Sequence, residues 1–275
     1  MFTLNCKGRI LVIDKPIVMG IINATPDSFF GGSRFNGFDE IIAKAEKMLN
    51  DGADIIDIGG QSTRPGSELI SVDDEMKRVV PAIKAIAIKF PKAFISIDTF
   101  YSKVAIAAVD AGATIINDIS AGSMDNKMIE TVAELKVPYV LMHMKGTPQT
   151  MQQNTTYENV TREVLDFFIA KTHELKKAGI VDIIIDPGFG FAKSIDQNFE
   201  LLKNFSVFKM LDKAIMLGIS RKSTIYKTLG VNADDALNGT SVLNTIGLMN
   251  GASILRVHDV KEAIEAVKLF SATYK

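Results

Sequence analysis

The chain has 275 residues, 47% of them hydrophobic and 23% charged, and this length is typical of one α/β barrel, so we predict a single domain over residues 1–275. A formal net charge of −1, and apolar runs far shorter than the ~20 residues that cross a bilayer, argue against nucleic-acid and membrane partners. The single cysteine, Cys6, excludes an internal disulfide or a zinc site of several thiolates, and it favours a reducing compartment, by default the cytoplasm.

The first predicted elements are a hairpin, a strand and a helix. Weak alternation over Phe2–Ile13, around Lys7-Gly8-Arg9, predicts a short hairpin that closes a barrel floor. A strand over Val18–Ile22 then runs into the loop 23–32, which is too rich in glycine, proline and small polar residues for regular structure. Inward spacing of apolar residues predicts a helix over Asp39–Leu49.

The same alternation of strand and helix continues along the chain. A strand at Asp54–Ile58 and a second punctuated loop, 59–67, precede a helix at Val72–Lys89. Helix-like stretches also follow the later strands, although the pattern over residues 222–243 does not clearly indicate a helix. The remaining strands are predicted near Phe94–Ile97, Thr114–Asn117, Tyr139–Met142, Ile183–Asp186, Ile215–Ile219 and Ser253–Val257.

This order predicts a (β/α)8 TIM barrel, an α/β fold. The strands are unbroken Val, Ile and Leu runs, as expected for parallel strands that are buried on both faces. Repeated helix-Gly-strand punctuation, as in Asn50-Asp51-Gly52 before the second strand, is typical of such units.

Nearly every apolar run ends on a residue that can do chemistry. Such groups are unfavourable in a hydrophobic core, because burying an unpaired polar group costs roughly 2–7 kcal/mol. The carboxyl ends of barrel strands meet at one mouth, where the active site lies. The residues are Asn23, Asp57, Asp98, Asn117, His143, Asp186, Arg221, Lys222, Arg256 and His258.

Four of these residues suit a flat heterocycle of the 2-amino-4-oxo pteridine type. Asp98 and Asp186 offer hydrogen-bond acceptors, and Lys222 offers a donor. The side-chain amide of Asn117 can both donate and accept. The alternative for a strand-end Asp is a helix N-cap. The turn from Asp186 to Phe191 lacks the spacing of a dinucleotide fingerprint. Met142 and Phe191 are candidates to sandwich the ring, the alternative being core filling.

A second group predicts an anion site. Arg256 and His258 follow the last strand and Asn23 follows the first, so barrel closure makes them neighbours. They could hold a polyphosphate, with Asn23 as a ligand of Mg²⁺. The alternative is that Arg256 pairs with Asp259 or another acid at the rim. For His143 we favour a structural role over a catalytic one.

Eight segments in order along the chain resemble the dihydropteroate synthase family of pterin-binding TIM barrels. They cover almost the whole sequence, which makes the resemblance specific. The segments are Met19–Phe29, Asp57–Gly66, Ser96–Thr99, Ile116–Asp118, Met142–Pro148, Asp186–Phe191, Ser220–Ser223 and Arg256–Asp259.

The resemblance implies that p-aminobenzoate displaces pyrophosphate from 6-hydroxymethyl-7,8-dihydropterin pyrophosphate to give 7,8-dihydropteroate, in a homodimeric enzyme of folate synthesis that sulfonamides target. Asp98, Lys222 and Arg256 are expected to be catalytic. The pterin residues would be Asp98, Asn117, Met142, Asp186, Phe191 and Lys222; the pyrophosphate residues Asn23, Arg256 and His258, with Mg²⁺ on Asn23; and the p-aminobenzoate residues Phe29, Thr63, Arg64, Pro65 and Ser223.

Three positions depart from the usual family pattern, and two other functions remain open. Ala24, Phe30-Gly31 and Gln61 stand where Val, Ser-Asp and Glu are usual. One alternative is the methyltetrahydrofolate-binding domain of corrinoid methyltransferases, which handles no pyrophosphate. The other is a non-catalytic pterin-binding homologue, which would be expected to lose anion or loop residues.

Overall fold

An antiparallel hairpin, β1 (Phe2–Cys6) and β2 (Arg9–Ile13), opens the computed structural model, which describes residues 1–24, 34–62 and 67–274. The turn residues Lys7 and Gly8 both have positive φ, 57° and 85°. The inward side chains of the hairpin pack on the amino-terminal ends of the barrel strands, so the predicted closure of the barrel floor is confirmed. This layer contains Leu4, Cys6, Leu11 and Ile13 of the hairpin with Met19, Ile55, Ile115, Val140, Ile184, Met216 and Ile254.

Eight parallel strands form a closed barrel in the order β10-β3-β4-β5-β6-β7-β8-β9, which confirms the predicted fold. The strands are β3 (Ile17–Asn23), β4 (Ile55–Gly59), β5 (Phe94–Asp98), β6 (Ile115–Asp118), β7 (Tyr139–Met142), β8 (Ile183–Asp186), β9 (Ala214–Leu217) and β10 (Ile254–Val257). The helices are α1 (Arg34–Asn50), α2 (Val72–Lys89), α3 (Ser102–Ala111), α4 (Met128–Leu135), α5 (Val160–Lys177), α6 (Ile195–Lys203), α7 (Ser223–Leu229), α8 (Leu237–Met249) and α9 (Val260–Thr273).

The strands are apolar without interruption because both of their faces are covered. In β3, Met19 belongs to the layer on the barrel floor, whereas its neighbour Val18 packs in the main core with Ile41, Ala45 and Met48 of α1. Side chains alternate along a strand, so each run supplies the barrel interior and the helix layer in turn. Among the described residues, no helix combines the length and the apolar character that crossing a membrane requires.

Most strand bounds agree with the predicted ones to within one or two residues, and two helical regions differ more. Helix α1 begins at Arg34 rather than near Asp39. The sequence pattern placed the start too late because the first turn contains Asn36 and Gly37, which are poor helix formers. The ambiguous stretch from Lys222 to Leu243 contains the short helix α7, a 3-10 turn at Ala233–Asp235 and the start of α8. Gly230, with a φ of 67°, ends α7 after two turns, too soon for a clear helical period.

Strand register brings the polar strand ends to one level of the barrel. Asp98 lies beside Gly59 on one side and beside Asn117 on the other, and Asp186 lies beside Met142. Gly59 carries no side chain, which leaves room beside the carboxylate of Asp98.

Candidate active site

Arg256 is the centre of a buried charged group that joins four strands. Its Nε donates to Oδ2 of Asp57 at 2.7 Å, and its Nη2 donates to Oδ2 of Asp98 at 2.6 Å. Asn117 Nδ2 donates to the same Oδ2 of Asp57 at 3.2 Å. Three of the predicted residues, Asp98, Asn117 and Arg256, therefore lie together, and Asp57 connects them.

The charges in this group depend on one another. Asp57 is fully buried, and its Oδ1 has no hydrogen-bond partner among the described residues. Burial raises the pKa of Asp98 to about 7; the guanidinium of Arg256 opposes the rise, and the nearby carboxyl of Asp57 adds to it. Buried charges of this kind are tolerated only when they are paired. Arg256 thus holds two carboxylates that would otherwise repel each other.

Asp186 and Lys222 form the opposite side of the site. Oδ1 of Asp186 accepts a hydrogen bond from the Gly188 N–H at 2.8 Å, and Lys222 Nζ donates to the Phe189 carbonyl at 2.5 Å. Burial raises the pKa of Asp186 and lowers that of Lys222 to about 8, and the opposite charge of each partner resists the shift of the other. Lys222 also lowers the pKa of Asp98, so the two sides face the same space.

A small apolar cluster forms one wall beside these polar groups. It is separate from the main core, and both Met142 and Phe191 belong to it. The Lys222 ammonium lies 4.6 Å from the centroid of the Phe191 ring, a cation–π distance. The buried members are Phe100, Ile119, Met142, Met151, Phe191 and Ala192. The wall offers a flat ring an apolar surface next to charged hydrogen-bonding groups.

The residues predicted for the anion lie at the ends of β3 and β10. Ser220 Oγ accepts from the backbone N–H of His258 at 3.2 Å, so its own hydrogen is available to Nδ1 of the same histidine at 3.1 Å. In the tautomer in which Nδ1 accepts from this hydroxyl, Nε2 of the ring is a donor. Burial, with help from Arg256, lowers the pKa of His258 to about 4, so the ring is neutral at pH 7. Asn23 is an exposed residue at the end of β3.

Of the alternative for Arg256, the pairing with Asp259 is wrong, whereas a pairing with other acids is observed, with Asp57 and Asp98. Arg221 takes Asp259 in a bidentate ion pair, with both N–O distances at 2.8 Å. The Nη1 atom of Arg256 makes no hydrogen bond to any described residue, whereas its Nε and Nη2 bind the two carboxylates. Arg256 therefore keeps one donor for a ligand.

The p-aminobenzoate residues are placed only in part. Ser223 is half-buried at the start of α7, directly after Lys222. Phe29, Thr63, Arg64 and Pro65 lie outside the described residues, as do Phe30 and Gly31, and their roles stay predictions.

Gln61, one of the departures from the family pattern, joins the two ends of the segment that follows β4. Its Nε2 donates to the carbonyls of Ser62 at 2.8 Å and Glu68 at 2.9 Å, and its Oε1 accepts from the Ile70 N–H at 2.9 Å. Only an amide can donate and accept in this way at neutral pH.

We therefore expect Gln61→Glu to lower the free energy of unfolding by about 1–3 kcal/mol at pH 8, because a buried carboxylate would face two carbonyl oxygens. Protonation restores one donor, so the loss should shrink as the pH falls to 5. Urea denaturation at both pH values measures this. Gln61→Met is the control, since its loss should not vary with pH; equal stability of Gln61→Glu and the native protein at pH 8 would contradict the assignment.

The sequence pattern named Asp57 without its role in the site, and it missed Lys193 behind the Asp186 turn. Asp57 was recognised only as a strand-end acid, although its place between two apolar runs was a usable signal. Lys193 is 4% exposed and follows the turn at Asp186, and nothing in the sequence distinguishes it from a surface lysine. His143 is buried and bonded to Lys193, in line with the structural role that we favoured.

The described residues of the site offer few ligands for a divalent cation. No cluster of three or more His, Cys, Asp or Glu residues suited to a metal exists among the described residues. Mg²⁺, however, is commonly bound by one or two protein oxygens together with substrate phosphates. The amide oxygen of the exposed Asn23 is a suitable ligand of that kind, so the donor set fits a cation that arrives with a polyphosphate.

Comparison with known proteins agrees with this geometry. The model of a family described as "Pterin binding enzyme" matches residues 19–258. The dihydropteroate synthase of Escherichia coli K12 is 42% identical over 269 residues, which are 97% of this chain and 95% of that protein. A dihydropteroate synthase from Yersinia pestis, solved as a sulfonamide drug complex, is 38% identical with a TM-score of 0.92 and 99% coverage of both chains.

The enzyme from Xanthomonas albilineans in complex with 7,8-dihydropteroate is 35% identical, with a TM-score of 0.90 and 99% coverage of both chains. Identity at this level over nearly the full length shows more than a shared fold. The chain therefore belongs to the pterin-binding enzyme family, the family of the dihydropteroate synthases.

Proposed function

We propose that the chain is a dihydropteroate synthase that joins 6-hydroxymethyl-7,8-dihydropterin pyrophosphate to p-aminobenzoate, releasing pyrophosphate and 7,8-dihydropteroate for folate synthesis. The observation that carries the proposal is the single mouth in which Arg256 bridges Asp57 and Asp98 opposite the Asp186 and Lys222 pair. The names of the relatives, and the product bound to one of them, support the same reaction.

The pterin ring would lie against the apolar wall with its polar edge on the charged groups. Asp186 has Oδ2 available beside Gly218, which has no side chain. One carboxylate can accept from a ring N–H and an exocyclic amino group together, which discriminates strongly against rings that lack them. Asn117 and Lys222 would bind the remaining ring atoms, and Met142 and Phe191 would contact its faces.

The pyrophosphate would lie towards Asn23, Nη1 of Arg256 and Nε2 of His258. These are an amide and two donors, and they suit phosphate oxygens. Asn23 would hold Mg²⁺ there, and the ion would neutralise charge on the departing pyrophosphate. The p-aminobenzoate would bind on the other side, near Ser223 together with Phe29, Thr63, Arg64 and Pro65.

A dissociative path fits these residues best. The aromatic amine is a weak nucleophile, so the C–O bond to pyrophosphate breaks first and its electron pair leaves with the pyrophosphate. The positive charge that this leaves on the methylene and the ring is stabilised by the ionised Asp98, which Arg256 orients. The amine nitrogen then forms the C–N bond and gives up one proton to solvent water. No side chain forms a covalent bond to the substrate.

Pyrophosphate release tests the proposed function directly. We expect the purified protein to release pyrophosphate when it is mixed with the pterin pyrophosphate, p-aminobenzoate and Mg²⁺. A non-catalytic homologue would bind the pterin and release none. A corrinoid methyltransferase domain would bind methyltetrahydrofolate instead. Either of these results would overturn the proposal.

We also propose that the protein is a homodimer through an apolar surface on α8 and α9. Large hydrophobic side chains lie exposed there, and interfaces of this type bury such groups. The surface consists of Val242, Ile246, Met249, Leu269 and Tyr274.

Sedimentation tests this proposal by measuring the oligomeric state. We expect a dimer for the native protein and a monomer for Leu269→Asp, because burying a charge in an apolar interface is unfavourable. Ile88→Asp, at a residue of α2 that is equally exposed, is the control and should stay dimeric. A native monomer, or a dimeric Leu269→Asp variant, would rule out this interface.

Two further properties belong to the proposal. A cytoplasmic location is supported by the single cysteine, Cys6, which is a free thiol. Sulfonamide binding is supported by the Yersinia pestis relative that was solved with such a drug.

A further inference from the structure

The ammonium of Lys193 is buried behind the turn that carries Asp186. Its Nζ lies 3.0 Å from the carbonyl oxygen of Gly188, 3.0 Å from that of Phe191 and 3.1 Å from Nδ1 of His143. The carbonyl of His143 is a fourth acceptor, at 3.4 Å. A lysine is almost never this buried unless its donors are used. Here all of its donors go to one turn and to the end of the neighbouring strand β7.

This turn has a backbone that needs support. Gly188, Gly190 and Ala192 all have positive φ, at 72°, 80° and 51°. The value at Ala192 is unfavourable for a residue with a side chain. Three carbonyl oxygens, of Gly188, Phe191 and His143, point towards the same place, where their dipoles repel each other unless a cation separates them.

Two lysines hold the turn through different carbonyls. Lys222 donates to the Phe189 carbonyl, whereas Lys193 donates to the carbonyls of Gly188 and Phe191. The N–H of Gly188 in turn donates to Oδ1 of Asp186. These peptide groups connect Lys193 to the Asp186 carboxylate and to the residue that carries the Phe191 ring.

His143 completes the arrangement. Because its Nδ1 accepts from the ammonium, its Nε2 carries the ring proton. Burial, with the charge of Lys193, keeps the pKa of His143 well below its usual range, so the ring stays neutral. Burial also lowers the pKa of Lys193 to about 7; Asp186 opposes this shift, and the charges of Lys222 and Lys145 add to it.

We propose that Lys193, held by His143, is a positioning residue that shapes the pterin pocket from outside it. The inference rests on the proposed function, since the pterin is the ligand of that function. Lys193 does not reach the pocket itself, because its donors are all directed to the carbonyls and the imidazole behind the turn.

Calorimetry with the pterin pyrophosphate, in the absence of p-aminobenzoate, tests the inference. We expect Lys193→Met to weaken binding of this pterin by about 10- to 100-fold, the range for a displaced binding group, and to leave the KM for p-aminobenzoate unchanged. Lys203→Met, the same replacement at an exposed lysine ten residues further along, is the control and should bind the pterin normally. Normal pterin affinity of Lys193→Met would overturn the inference, and so would an equal loss for both substrates.

A pair of His143 variants keeps the test decisive if Lys193→Met does not fold. His143→Asn retains an acceptor near the position of Nδ1, whereas His143→Leu removes it. We expect His143→Leu to weaken pterin binding and His143→Asn to restore most of it. Equal binding by these two variants would overturn the role of His143. A native protein that binds no pterin would instead overturn the proposed function. In that case, faster hydrogen exchange of residues 186–194 in Lys193→Met would still support the control of the turn by Lys193.

Discussion

Asp98→Asn is expected to lower turnover by about 10²–10³, the range for the loss of one preorganised electrostatic group. The substitution keeps the shape of the side chain and one acceptor oxygen but removes the negative charge beside the reacting methylene. Steady-state release of pyrophosphate measures the effect. Asp166→Asn, at an exposed residue of α5, is the matched control and should turn over normally. Near-normal turnover of Asp98→Asn would remove this carboxylate from the mechanism.

The pH dependence of turnover gives a second measurement on the same residue. Burial raises the pKa of Asp98 to about 7, and only the ionised form stabilises positive charge. Native kcat should therefore fall as the pH drops below about 7. The Asp98→Asn variant should lose this acid limb. An identical pH profile for both proteins would assign the limb to another group.

Arg256→Met is expected to lower the free energy of unfolding by about 3–5 kcal/mol at pH 8, the cost of leaving a buried charge without its partner. The guanidinium pairs with both Asp57 and Asp98, and Asp57 is fully buried. Without it, the pKa of Asp98 should rise further, because in the native protein the guanidinium opposes that rise, so the folded variant takes up protons. The loss should thus be greatest at high pH and decrease as the pH falls. Urea denaturation at pH 6 and pH 8 measures both effects.

Two further variants distinguish this charge effect from a general loss of stability caused by the substitution. Arg221→Met breaks the partly exposed pair with Asp259 and should cost much less. Adding Asp57→Asn to Arg256→Met should restore part of the lost stability, because one of the two unpaired charges is removed. If Arg256→Met were as stable as Arg221→Met, or if Asp57→Asn gave no recovery, the buried network would not have the energetic role described above.

Much of the fold follows from sequence because local patterns determine it. The runs from β3 to β10 are apolar on both faces, and the helix α2 has the predicted bounds, Val72–Lys89. Strand register then places Asp98 beside Asn117 without further information. The start of α1 and the end of α7 were harder to predict. Weak helix formers obscure the helical pattern at the start of α1, and Gly230 interrupts it at the end of α7.

The contacts that organise the site could not be predicted in the same way. Arg256 and Asp57 are 199 positions apart, and their ion pair depends on how the barrel closes at β3. Lys193 owes its role to positive φ angles in the turn before it, which a sequence pattern does not report. The sequence therefore predicts which residue types collect at the barrel mouth, whereas the pairing among them is a property of the closed structure.

A crystal structure with the pterin pyrophosphate bound, without p-aminobenzoate, measures most directly whether these groups form one substrate site. We expect the polar edge of the ring on Asp186 and Asn117, its face against Phe191, and the pyrophosphate beside Asn23 and His258. A ring that binds away from Asp186, or a pyrophosphate on the far side of the barrel from His258, would contradict the proposed arrangement.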